Sequence, residues 1–140
     1  MRAHLTRRYR FSASHRLHND AMSEAENQAT YGKCNNQHGH GHNYFLEVTV
    51  SGPVAEATGM VCNLTDLDGF VHREVIQQYD LQHLNAAQEF ALDVPTTENL
   101  CIVIHGILCR GFHLAHLERV RIEETLMNSF EYAGDAEMCH

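Results

Sequence analysis

The alternation of apolar and polar residues along the chain predicts four strands and two principal helices. In residues 5–12, Leu5, Tyr9 and Phe11 share one parity while Thr6, Arg8, Arg10 and Ser12 share the other, with Arg7 as the one blemish. That two-residue period is the mark of a half-buried strand. Tyr44, Leu46, Val48 and Val50 alternate with Phe45, Glu47, Thr49 and Ser51 in a second strand, which Gly52 and Pro53 end. Between the two, Ser23 and Glu26 stand at capping-box spacing and open a short helix ending near Gly32. Met60, Val61 and Cys62, after Gly59, read as a short continuation of the sheet.

A helix then starts at an Asn63 cap, with Leu64, Leu67, Val71, Val75 and Tyr79 along one stripe. Thr96 or Thr97, just after Pro95, caps a second helix whose Leu100, Ile104, Ile107 and Leu108 share a face, and Gly111 supplies the stop. In a third strand Glu118, Val120, Ile122 and Glu124 oppose Arg119, Arg121 and Glu123, and Phe130 and Tyr132 share a parity in the fourth. The principal order is ββααββ, an α+β layout with two helices on one face of a four-stranded antiparallel sheet.

Length and composition bound what such a layer can be. One hundred and forty residues, 44% of them apolar and 20% charged, make a single globular domain spanning 1–140. No apolar run approaches the roughly 20 residues of a membrane span, and the Arg-rich start lacks the apolar stretch of a signal peptide. A net charge of −8 argues against a nucleic-acid partner. The five cysteines (34, 62, 101, 109 and 139) show no CxxC pair, so the chain reads as reduced and cytoplasmic, with no disulfide framework.

Twelve histidines in so small a chain stand out. His38, His40 and His42 are two apart, with Gly39 and Gly41 between them, and their parity continues into the apolar face of Tyr44, Leu46 and Val48. His15 holds the parity of Phe11 and Ala13, so pairing of the first two strands brings it toward His40 and His42. Imidazoles at the end of an apolar face need partners, and one metal ion serves several at once. Three neutral imidazoles suit Zn²⁺ with one coordination position left open.

Several segments now resemble one family. Phe11-Ser-Ala-Ser-His15, the run from Tyr31 through Lys33, Cys34, Asn35 and Asn36, Gly39-His-Gly-His-Asn-Tyr44, Asn63-Leu-Thr-Asp-Leu67, Pro95-Thr-Thr-Glu-Asn99 and Glu124-Thr125 occur in the order seen in 6-pyruvoyltetrahydropterin synthases and the related 6-carboxytetrahydropterin synthases. The resemblance implies the tunnelling fold (T-fold), whose open-edged sheets join into a barrel within a trimer, two trimers stacking into a homohexamer. It implies that His15, His40 and His42 hold zinc, and that Cys34 is the base that removes a proton from the side chain of a reduced pterin triphosphate. Asp80 matches the Asp of an Asp-His relay; Glu124 matches the carboxylate that anchors the pterin, with Thr96, Thr97 and Glu98 near the ring. Zinc and Lys33 beside the thiol would lower the pKa of Cys34. Arg16 and Lys33 are chain neighbours of the site on an otherwise acidic protein, where a triphosphate needs cations.

The chain departs from the family where Asp-His is expected: Leu81 follows Asp80, and His83 lies two residues further on as the stand-in for the relay. The Cys34-x5-His40-Gly-His42 spacing matches the pyruvoyl-forming branch, although Cys34-x3-His38-Gly-His40 also fits the carboxy-forming one. The resemblance therefore implies a zinc-dependent lyase acting on 7,8-dihydroneopterin triphosphate in tetrahydrobiopterin biosynthesis. The alternatives are formation of 6-carboxytetrahydropterin from the same substrate, as in queuosine biosynthesis, and a zinc- and pterin-binding relative impaired by Leu81.

Overall fold

In the computed structural model, residues 1–135 are described. Two long strands carry the architecture: β1 (Arg2–His15) and β2 (His40–Pro53) pair antiparallel along their whole length, from Arg2 opposite Pro53 to His15 opposite His40. Between them α1 (Glu24–Tyr31) starts from the capping box foreseen, Ser23 accepting from the Glu26 amide, and a 3₁₀ turn (Gly32–Asn35) follows. Helix α2 (Leu64–Val71), capped by Asn63, runs through a π turn (His72–Ile76) into a last helical turn (Gln77–Tyr79). Then come the two-residue strand β3 (Gln82–His83), the long helix α3 (Thr97–Gly111), β4 (His116–Thr125) and β5 (Asn128–Tyr132).

The sheet order is β3-β1-β2-β4-β5, with β3 parallel to β1 and the other neighbours antiparallel. The expected four-stranded antiparallel sheet of order ββααββ is thus a five-stranded mixed sheet of order βαβαβαββ. The difference arises at Leu81, whose backbone sits in the left-handed region at φ 59° while its amide donates to the Ser12 carbonyl at 2.6 Å. That turn lays Gln82 and His83 beside Ala13 and Ser14, and a two-residue strand is too short to leave an alternation in the sequence. Residues 60–62 form no strand either: Ala55 and Met60 bond across a turn at Gly59 (φ 70°), which leaves the segment as a loop.

One face of the sheet is covered. Phe11, Tyr44, Leu46, Val48, Val120 and Ile122 are buried there against Leu67, Val71, Val75 and Tyr79 of the α2 segment and Leu100, Ile104 and Leu108 of α3. The apolar steps of four in the α2 segment overshoot the helical turn of about 3.6 residues, and the wider π turn takes up the overshoot, so that Val75 and Tyr79 stay inward. The opposite face is polar and internally paired, with Glu47 between Arg8 (3.2 Å) and Arg121 (3.1 Å) on the flanking strands.

Arg7, the blemish in the alternation, does point to the helix side, where its guanidinium meets Asp68 of α2 in two bonds of 3.0 and 2.9 Å. The Tyr9 hydroxyl donates to the same carboxylate at 2.8 Å. Cys34, Cys62 and Cys101 are free thiols, but Cys109 is disulfide-bonded, so a fully reduced chain is not what the structure has; Cys139 lies outside the described residues. Among the described residues no helix is long and apolar enough to cross a membrane.

The Arg7 guanidinium, and after it the Tyr9 hydroxyl, hold the Asp68 carboxyl below its usual range. A carboxyl with a depressed native pKa stabilises the fold above its unfolded value, near 4, and that contribution disappears as pH falls through the native value. Urea unfolding should therefore show Asp68→Asn less stable than wild type at pH 6–7, with the gap closing toward pH 3. A gap independent of pH would remove the carboxylate's charge from the explanation.

Candidate metal centre

The β1–β2 register decides what meets at the open end of the core. His15 faces His40 across the pair, Ala13 faces His42, and all three imidazoles fall on the covered side. Their rings contact edge to face, with centroids 4.9 Å (His15–His40), 5.1 Å (His15–His42) and 4.6 Å (His40–His42) apart. Gly39, at φ 75°, makes the turn into β2, and a Cβ there would lie 2.9 Å from the His15 carbonyl oxygen. No L side chain fits that close approach without a shift. Strand β2 begins only at His40, so the parity that leads to His40 and His42 does not extend to His38, which is exposed outside the cluster.

His15 is the fixed point of the group. It is buried, and its Nδ1 lies 2.9 Å from the Pro95 carbonyl. A carbonyl only accepts, so Nδ1 carries the proton and Nε2 is left as a lone pair. That Nε2 is buried with no hydrogen-bond partner. The Nε2 atoms of His40 and His42 approach within 2.8 Å of each other, and Cys34 Sγ lies 3.6 Å from His40 Nε2. Glu124, at the end of β4, brings Oε1 to 3.4 Å from His42 Nε2, and its other oxygen accepts from the Thr97 hydroxyl in α3.

This donor set fits a divalent cation. Burying an imidazole lone pair without a partner is costly, and a cation removes the cost while a backbone carbonyl orients the ring from behind. Two groups have donor atoms within 4.8 Å of one another, His15–Cys34–His40 and His15–His42–Glu124, and both share His15. Cys34 and Glu124 therefore stand at the cluster, closer than an all-imidazole reading of the spacing suggested.

Burial disfavours the charged form of each titratable group at the centre whose range is displaced. Burial, only partly opposed by the Pro95 hydrogen bond, pushes His15 down to about 4. Burial also lowers His42 against the opposing pull of Glu124. The Cys34 thiol is raised, by burial first and by the Glu124 carboxylate second, contrary to the expected lowering; the Lys33 ammonium does not offset these two effects.

The other residues singled out from the sequence lie outside the cluster. Thr96 is the N-cap of α3, its hydroxyl accepting from the Asn99 amide, and Glu98 is exposed in the first turn. Asp80 accepts the Ser12 amide at 2.9 Å, which fastens the end of the α2 segment to β1. His83 bonds Ser14 through Nδ1 at 2.9 Å, on the parity opposite to His15, and the Leu81 side chain is 82% exposed. The Pro95 carbonyl is the contributor that sequence reasoning missed, since backbone atoms carry no residue signature.

Comparisons with known proteins agree on one family. The family model described as 6-pyruvoyl tetrahydropterin synthase matches residues 4–135. A 6-pyruvoyl tetrahydrobiopterin synthase of Drosophila melanogaster is 44% identical over 134 residues, covering 94% of this chain and 80% of the relative. The human protein of that name is 41% identical over 134 residues, covering 95% and 92%. The solved structure of Caenorhabditis elegans 6-pyruvoyl tetrahydropterin synthase superposes with a TM-score of 0.91 at 38% identity, covering 96% of this chain and 97% of that one.

Two measurements test the centre. Metal analysis should find the bound ion lost in His15→Ala and retained in His38→Ala; loss in His38→Ala would move the site to the shorter histidine spacing. In chelator-treated protein, the unfolded chain takes up the His15 proton near pH 6.5 and the folded chain only near 4. Stability should then fall on acidification through that window, by on the order of 3 kcal/mol in denaturant titrations. A flat profile would contradict the buried neutral imidazole.

Proposed function

Because the chain belongs to the 6-pyruvoyl tetrahydropterin synthase family, we propose that it is a lyase that converts 7,8-dihydroneopterin triphosphate to 6-pyruvoyltetrahydropterin with release of triphosphate. The observation that carries this reading beyond family membership is the convergence of His15, His40 and His42 with Cys34 and Glu124 on one buried, partnerless lone pair.

In this reading His15, His40 and His42 hold Zn²⁺, which when bound supplies Lewis-acid stabilisation to the oxygens of the substrate side chain. Cys34 takes a proton from that side chain, a role suited to a thiol half-buried beside the imidazoles. Glu124 accepts the N–H groups of the pterin, and Thr97 steers the carboxylate by donating to its other oxygen. Thr96 fixes the first turn of α3, and Glu98 lies at the ring's periphery. The pyruvoyl branch is favoured over the carboxy-forming one because His40 and His42 join the cluster while His38 stays outside it.

The reading also takes in an assembly of six copies with the tunnelling fold and a cytoplasmic setting. Strand edges at β3 and β5, and a β1–β2 face of paired charges, suit sheets that continue into a neighbouring subunit. Asp80 and His83 are assigned to a proton relay that such a neighbour would complete. Leu81, with no ionisable group, favours a second reading, a metal- and pterin-binding protein with impaired turnover.

Incubation with 7,8-dihydroneopterin triphosphate followed by product identification separates these readings. The expected product is 6-pyruvoyltetrahydropterin, and Cys34→Ala should keep its metal while turnover falls about a hundredfold or more. A 6-carboxy product would select the other branch. Metal bound without product, together with activity gained by Leu81→His, would select the impaired protein.

A further inference from the structure

Lys33 is the single lysine of the chain, in which every other basic residue among the ten is arginine. It sits in the 3₁₀ turn Gly32–Asn35, immediately before Cys34. The side chain is exposed, and among the described residues it has no ion pair. Five of the nine arginines are committed to carboxylates: Arg7 to Asp68, Arg8 and Arg121 to Glu47, Arg73 to Glu74 and Arg119 to Glu131. What sets Lys33 apart is its place: it is the one basic residue lining the cavity that Cys34, His40 and His42 share.

That place suits an anion. Lys33 lines a cavity of about 760 Å³ together with Cys34, His40 and His42, and no carboxylate is among the residues lining it. Arg16, the other cation close in sequence, is turned elsewhere. Its Nε donates to the Asn35 carbonyl at 3.3 Å, and it lines two other cavities, one with Asp20 and Asp93 and one with Glu24, carboxylates that repel an anion. A flexible ammonium that reorients freely suits a polyanion that arrives, and then departs, in several geometries. On a protein of net charge −8, the multiply charged arm of a substrate needs such a local cation to enter at all.

Resting on the lyase reading above, we propose that Lys33 is the anchor for the polyphosphate arm of the substrate, the residue that makes this site select a phosphorylated pterin over its dephosphorylated counterpart. The ammonium binds the arm in the ground state and releases it as the free anion, so its contribution falls on substrate affinity and on inhibition by polyphosphate.

The test compares wild type with Lys33→Gln and Lys33→Arg, using inorganic triphosphate and neopterin as separate probes. In Lys33→Gln, KM for the triphosphate substrate and the inhibition constant of inorganic triphosphate should both rise about tenfold or more, while kcat changes less. Neopterin binding should be unchanged, and Lys33→Arg should restore most of the triphosphate inhibition. Inorganic triphosphate should also protect Lys33 of the wild-type protein from reductive methylation, read by peptide mass spectrometry. Product formation with wild-type KM and triphosphate inhibition in Lys33→Gln would overturn the anchor while leaving the lyase reading intact. So would a defect confined to the pH profile of kcat, which would make Lys33 an electrostatic partner of Cys34. If the protein forms no pterin product yet binds inorganic triphosphate in a Lys33-dependent way, the anchor stands and the lyase reading falls.

Discussion

Everything at the candidate centre hangs on the antiparallel pairing of β1 with β2. Residues 15 and 40 are far apart in sequence, and only the ladder that sets Ala13 opposite His42 and His15 opposite His40 brings them together. The register is not free to slip. A shift of one residue would turn either Tyr9 and Phe11 of β1 or Tyr44 and Leu46 of β2 from the core to solvent, so the burial of these large side chains is the force that aligns the imidazoles. The geometry of the histidine cluster is thus a by-product of apolar packing along 14 residues of strand on each side.

From that constraint the rest of the site follows outward. Helix α3 packs on β4 and carries Thr97 to Glu124, while the segment before it delivers the Pro95 carbonyl to the back of His15. A carbonyl at Nδ1 fixes which imidazole nitrogen holds the proton, and burial keeps the ring neutral. The same burial, with the Glu124 carboxylate second, raises the Cys34 thiol. In the proposed reading the two effects are matched, since a cation held by the imidazoles would also favour the thiolate of Cys34.

How much of this could be read in the sequence depends on whether a side chain or the backbone carries the information. The long strands and helices announce themselves through the periods of Tyr44–Val50 and of Leu67, Val71, Val75 and Tyr79, and the cluster of His15, His40 and His42 follows from strand parity. Arg7 reads as an error in the pattern until Asp68 is found across the sheet–helix interface, a contact between residues 61 apart. Strand β3 was invisible because a left-handed Leu81 makes it, and leucine carries no turn signal. The Pro95 carbonyl and the disulfide at Cys109 were hidden for a like reason, since neither a backbone acceptor nor a cysteine's pairing can be told from its residue letter.

The π turn at His72–Ile76 has a consequence for how this chain can vary in length. It holds one residue more than an α-helical turn needs, and that surplus sits upstream of Asp80, whose carboxylate clasps the Ser12 amide. Deleting a single residue there would heal the helix locally. Because the wider turn is what absorbs the surplus residue, Val75, Tyr79 and Asp80 would keep their faces, whereas a deletion in the regular turn of α2 before it would rotate everything downstream by about 100° and carry Asp80 away from β1. The irregular turn is thus the one place in this helix where the chain can shorten by a residue without losing its grip on the sheet.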